Sequence, residues 1–292
     1  MTYCVGMRVH AGLVMMADSR TNAGVDNISV YRKLHIYNRA DRFVAICTAG
    51  SLSVTQAALS HLDEGLEMAN GDDERSTIDN QANIFRIAQL IGRALHESRN
   101  EVRDALKRDG IRSGASMLVG GRVGAEPVKL FRVYDAGNAI ECRPENPFLQ
   151  IGEIKYGKPI LDRALNYKTR MNEAAKIGLI SFDSTMRSNL AVGLPIDMVL
   201  LRDHEGSEPV EHTITENDGY FQRLSKSWST KLRNATASIE RPDFVPMLPD
   251  DEKESLQKTP RARRTVGSPQ AEMPSDGEEA CEESGSDAQL EG

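Results

Sequence analysis

Residues 1–34 read MTYCVGMRVHAGLVMMADSRTNAGVDNISVYRKL, and the fold turns on how they are read. Thr2–Val9 and Leu13–Ala17 have the apolar density of two strands joined by a tight turn at His10-Ala11-Gly12. The second strand runs into Asp18-Ser19-Arg20. Thr21–Ser29 is polar and carries Gly and Asn, which predicts a loop. Small second residues such as threonine generally allow removal of the initiator methionine. Thr2 then bears a free α-amino group beside its hydroxyl. The amine can take the hydroxyl proton directly or through a water, so one residue holds nucleophile and base together. An α-amino group titrates at about 7.7–8.0, close to where a general base is useful. A neighbouring ammonium lowers that pKa and holds developing negative charge. Lys33 is the candidate for it, with Asp18 to hold Lys33 in place.

Composition narrows the classes. At 292 residues the chain is long enough for a full core. The net charge is −7, and the carboxylates cluster late, so no basic stripe points to nucleic acid. No apolar run approaches the roughly 18 residues of a membrane span. The N-terminus lacks the basic-then-apolar pattern of a secretory signal. Cys4, Cys47, Cys142 and Cys281 have no C-x-x-C spacing and read as free thiols of a reducing cytosol.

Beyond the opening hairpin, Lys33–Tyr37 and Arg42–Thr48 read as strands, the second buried on both faces. Ser51 begins a helix to about Met68, and a longer one covers roughly Asn80–Arg108, with Gly110 as its stop. Strands return at Ala115–Gly120, Val128–Tyr134, Ala139–Cys142 and Phe148–Ile151, and Gly120-Gly121-Arg122-Val123-Gly124 reads as a turn. Helices follow from Gly157 to about Tyr167 and over Asn172–Ser184. Strands at Asp197–Leu201 and Val210–Ile214 precede a charged helix over Asn217–Ala235, which carries Trp228. Hairpin-connected strands favour antiparallel sheets. Strands, two helices, strands, two helices and strands make an α/β (α+β) chain: two stacked antiparallel sheets covered by helices, a four-layer αββα sandwich. The first strand must be central for Thr2 to reach an enclosed site. After about Pro246 the composition turns to Asp, Glu, Ser, Pro and Gly. Residues 1–245 are therefore expected to form one domain and 246–292 a disordered acidic tail.

Several other chemistries are set aside. There is no H-E-x-x-H, no C-x-x-C and no phosphate-loop G-x-x-x-x-G-K. Gly114-Ala115-Ser116-Met117-Leu118 lacks the second glycine of a nucleophile elbow. The six histidines are scattered without ligand spacing, so neither metal nor cofactor is expected. Cys4 sits two positions inside its strand and is a poor rival to Thr2.

Thr2-x-x-Val5-Gly6, Ala17-Asp18-Ser19-Arg20, Arg32-Lys33-Leu34 and Thr48-Ala49-Gly50 before a helix resemble proteasome β-type subunits, which are N-terminal-nucleophile hydrolases. The segments at 20–27, 152–161 and 181–189 are similar to one subgroup, the bacterial proteasome-like peptidase family Anbu. The resemblance implies a threonine endopeptidase with Thr2 as nucleophile and base, Asp18 orienting Lys33, and Lys33 as the charge near the hydroxyl. It implies the Gly50 N–H as oxyanion donor and Asp183 as an aspartate near the amine. Arg20, Thr21, Thr48 and Leu52 fall where the family builds its substrate pocket. It also implies peptide or unfolded-protein substrate, self-association into a ring or spiral, a cytoplasmic setting, and room for an ATPase partner.

Two positions depart from the proteasome pattern. Glu153 stands where a serine is expected, and a carboxylate beside the amine raises the amine's pKa. Met186 stands where a second serine is expected, and Ser188 follows two residues later. These departures motivate a rival reading, an inactive or weak self-assembling scaffold. A small-molecule amidase with the same nucleophile logic is the third.

Overall fold

The computed structural model describes residues 2–22, 28–67, 75–108, 113–240, 242 and 244. The chain opens with a hairpin of β1 (Tyr3–Val9) and β2 (Gly12–Asp18). Two short strands follow, β3 (Arg20–Asn22) and β4 (Ile28–Val30), and then β5 (Leu34–Arg39) and β6 (Arg42–Gly50). Helices α1 (Leu52–Glu64) and α2 (Ile84–Arg108) lead to β7 (Ala115–Val123), β8 (Lys129–Tyr134), β9 (Ala139–Glu141) and β10 (Phe148–Gly152). Helices α3 (Lys158–Ala164) and α4 (Met171–Ser188), strands β11 (Ile196–Arg202) and β12 (Val210–Ile214), and helix α5 (Gly219–Ser238) complete it.

Two five-stranded antiparallel sheets result, ordered β10-β1-β2-β11-β12 and β5-β6-β7-β8-β9. Three apolar cores separate four layers. Tyr3, Val5 and Met7 of β1 and Val14 and Met16 of β2 pack on Leu161, Ile177, Phe182 and Phe221 of the helices. Cys4, Leu13, Met15 and Ala17 turn the other way and meet Phe43, Ala45, Cys47 and Leu130 between the sheets. Val44 and Ile46 face α1 and α2 through Val54, Ile87 and Ile91. The central strands are therefore apolar at consecutive positions, because both faces are buried and the side-chain period is two. Phe182 is fully buried against Tyr3, with ring centroids 4.5 Å apart.

Several boundaries differ from the sequence reading. Residues 20–22 and 28–30 pair as a small sheet, with Arg20 opposite Val30 and Thr21 opposite Ser29, where a loop is expected. β1 is interior but not central: β2 occupies the middle and β10 is the edge. β7 continues through Gly120-Gly121 to Val123, so that segment is strand and not a turn. A Cβ on Gly120 would sit 2.8 Å from Leu13 Cδ2 of the facing sheet, so glycine there permits close packing. α1 ends at Glu64 because Gly65 adopts φ +82°. α2 starts at Ile84, after Asn83 accepts the Arg86 N–H at 2.9 Å. α3 stops at Ala164, and α4 runs through Ser188. The expected helix stop at Gly110 lies outside the described residues. The described residues up to Ser238 belong to one compact unit; the expected acidic tail lies outside the described residues. Among the described residues no helix is long and apolar enough to cross a membrane.

Candidate functional site

Thr2 lies immediately before β1 and is half-buried. Its carbonyl accepts the Glu153 N–H at 2.6 Å. Gly152, the last residue of β10, makes this approach possible. Its φ is +81°, and a Cβ there would lie 2.0 Å from the Thr2 carbonyl oxygen. The β1–β2 register sets Cys4 opposite Ala17, so Tyr3 meets Asp18. The Tyr3 N–H donates to Asp18 Oδ1 at 2.9 Å.

The same Oδ1 accepts the Lys33 ammonium at 3.1 Å, and Lys33 also donates to the Arg20 carbonyl at 2.5 Å. The Lys33 carbonyl accepts the Thr48 N–H at 3.0 Å, which ties the lysine to β6. Asp18 is fully buried and Lys33 is 6% exposed. Burial raises the Asp18 pKa above the usual carboxylate value, while the Lys33 cation and the Tyr3 N–H oppose that shift. Asp18 Oδ2 has no hydrogen-bond partner among the described residues. Lys33, immediately before β5, is thus a fixed, buried cation, of a kind suited to stabilising charge that develops on an oxygen.

Gly50 closes β6 with φ +113°, and a Cβ there would lie 2.3 Å from the Gly114 carbonyl oxygen. Ser51 donates its N–H to that same carbonyl at 3.0 Å. Leu52 then opens α1, half-buried. Arg20 reaches the Leu190 carbonyl at 3.4 Å and lines a cavity of about 360 Å³ with Val30, Leu194, Pro195 and Glu216. Thr48 and Leu52 do not line it. Of Thr21 only the β3 backbone is described.

Asp183 and Glu153 each have partners within the chain. Asp183 is buried on α4 and accepts Arg187 Nε at 3.2 Å. Arg187 also donates to Ser225 Oγ of α5 at 3.0 Å. Glu153 accepts Asn189 Nδ2 at 3.0 Å and the Lys155 N–H at 3.2 Å. Ser188 is exposed at the end of α4, and Met186 packs toward the helix-layer core. Behind Thr2 lies a polar group that the sequence reading did not pick out. The Tyr3 phenol accepts Gln150 Nε2 at 2.8 Å and meets Ser181 Oγ at 3.0 Å. Ser181 in turn donates to the Gly178 carbonyl at 2.6 Å. The available signal was a phenol, an amide and a hydroxyl at inward positions of otherwise apolar elements. The Cys4 thiol is buried between the sheets; burial and then Cys47 push its pKa up, so it is no nucleophile. Among the described residues no three His, Cys, Asp or Glu side chains gather as metal ligands.

No protein-family model and no curated protein matches the chain. Solved structures do. An Anbu (Gly-1) mutant from Hyphomicrobium sp. strain MC1 is 41% identical over 84% of this chain and 100% of its own, with a TM-score of 0.74. Anbu, described as an ancestral β-subunit, from Yersinia bercovieri is 37% identical over 84% and 100%, with a TM-score of 0.73. The Anbu complex from Pseudomonas aeruginosa, described as a helical assembly, is 35% identical over 83% and 99%, with a TM-score of 0.72.

Proposed function

The chain belongs to the Anbu family of bacterial proteasome-like proteins, and from that membership we propose that it is a threonine peptidase whose nucleophile is Thr2, exposed by removal of Met1. The observation that carries this reading is the buried Lys33–Asp18 pair at 3.1 Å, whose shared oxygen also holds the amide next to Thr2. The Thr2 amine takes the hydroxyl proton, and Oγ attacks the peptide carbonyl. The Lys33 ammonium lowers the cost of the developing alkoxide, and Asp18 keeps that ammonium in place. The oxyanion accepts the Gly50 N–H, a donor of a kind typically worth about 3–4 kcal/mol in the transition state. The amine returns its proton to the leaving nitrogen, an ester remains on Thr2, and water activated by the amine hydrolyses it.

Arg20 and its cavity are the part of the expected substrate pocket that the geometry supports best. The helical assembly of the Pseudomonas aeruginosa relative supports self-association of this chain into a ring or spiral. Enclosure would keep folded proteins from the nucleophile, and an ATP-driven unfoldase is the partner class that would feed it. The reading places the protein in the cytoplasm. Thr2→Ala, assayed with short peptides and an unfolded polypeptide, should abolish turnover; equal rates for variant and wild type end the proposal.

A second reading, a self-assembling scaffold without peptidase activity, has its own observation. Asp183 is engaged by Arg187 and Glu153 by Asn189, so both carboxylates have partners among the chain's own side chains. Intact-mass measurement separates the two readings. A Met1 retained on most chains blocks the amine and favours the scaffold.

A further inference from the structure

The groove between α4 and α5 takes no part in the proposed chemistry. α5 carries Arg223, Lys226, Lys231 and Arg233 and no carboxylate, in a chain of net charge −7. It is anchored through buried Phe221 and Leu224, and from Thr230 to Ser238 every residue is exposed. Helical segments with so little packing are marginal in water, so a face like this gains from a cover. Over Leu224 lies a cavity of about 420 Å³, walled by Ile180 of α4 and by Tyr220 and Trp228 of α5, with Arg223 and Lys231 in its lining. Tyr220 is 48% exposed, and Trp228 is the chain's one tryptophan, half-buried. Lys176 of α4 also faces the groove, but it is paired with Glu173 at 2.6 Å. Among the described residues neither Arg223 nor Lys231 has an ion-pair partner.

We infer that this groove docks an acidic segment of a partner protein. An aliphatic or aromatic side chain of that segment sits against Leu224 and Trp228, and its carboxylates meet Arg223 and Lys231. Trp, Tyr and Arg are the residues that concentrate binding energy at interfaces. The two unpaired cations select for negative charge without any internal pair having to break. The apolar wall is concave and of side-chain size, which fits a peptide better than a flat anionic bilayer.

The test pans a random-peptide display library on the full-chain protein and on its Arg223→Ala/Lys231→Ala variant. Sequences recovered on the wild type alone should carry Asp or Glu around an apolar residue. Synthesised, they should shift the Trp228 emission, bind the variant about tenfold more weakly, and weaken as salt rises. Peptide turnover at Thr2 should be the same in both proteins. The inference is overturned if recovered peptides show no acidic enrichment or bind both proteins equally. It is also overturned if phosphatidylserine vesicles shift the Trp228 emission while no peptide does. Loss of the wild-type assembly size in the variant overturns it too, by making the face a contact between copies.

Discussion

Replacing Lys33 by methionine keeps the side-chain length and removes the charge. Asp18 is then left fully buried, with the Tyr3 N–H as its remaining donor among the described residues and Oδ2 with none. At the observed separation of 3.1 Å, two unit charges attract by roughly 5 kcal/mol at an effective dielectric of about 20. Removing one partner of a buried pair typically costs about 3–5 kcal/mol, because the other charge stays uncompensated. In a unit of this size such a loss lowers the melting temperature by about 6–20 °C. The pH dependence has a definite sign. Burial raises the folded-state pKa of Asp18, so its stabilising contribution is complete below the unfolded carboxylate pKa of about 3.9 and is lost as pH rises through the folded value. Without Lys33 that folded value rises further. The deficit of Lys33→Met should therefore be largest near neutral pH and shrink as pH falls toward about 4. Urea denaturation of the wild type, Lys33→Met, Asp18→Asn and the double variant measures this. The double variant should recover most of the loss, since no buried charge remains. A cost under about 1 kcal/mol at neutral pH, or one that does not shrink on acidification, would refute the reasoning.

Three further outcomes follow from the geometry around Thr2. Gly152→Ala places a methyl group 2.0 Å from the Thr2 carbonyl oxygen at φ +81°, so Thr2 must shift; peptide turnover should fall by about 100-fold, and an unchanged rate would separate Thr2 from the chemistry. Tyr3→Phe leaves Gln150 Nε2 and Ser181 Oγ without the phenol and should cost about 1–3 kcal/mol of stability; an unmoved denaturation midpoint would mean water replaces the hydroxyl at no cost. Glu153→Gln removes a carboxylate from the turn whose N–H holds the Thr2 carbonyl. The rising limb of the rate–pH profile should then move to lower pH, because the amine loses a group that favours its protonated form; a fixed limb would place Glu153 out of reach of the amine.

The strands of the sandwich were legible because their apolar runs follow from burial on both faces, a property each strand carries in its own residues. The opening loop was not, because Arg20–Asn22 and Ile28–Val30 pair across a polar stretch by backbone hydrogen bonds that leave no hydrophobic alternation. The central position expected for β1 failed for another reason: strand order depends on where β10 and β11 dock, and those partners lie more than a hundred residues away. The site divides along the same line. Asp18 and Lys33 are near Thr2 in the chain, and the hairpin register carries Asp18 to Tyr3, so their convergence could be read. The pairing of Asp183 was also within reach, since Arg187 stands four residues on and helical neighbours at that spacing meet. A helix ending at Ser184, as the sequence pattern predicts, excludes Arg187 and so hides the pair. Once α4 runs to Ser188, one helical turn engages Asp183 with Arg187 and leads directly to Asn189, which engages Glu153 across 36 residues. The length of α4 therefore decides the partners of both Asp183 and Glu153.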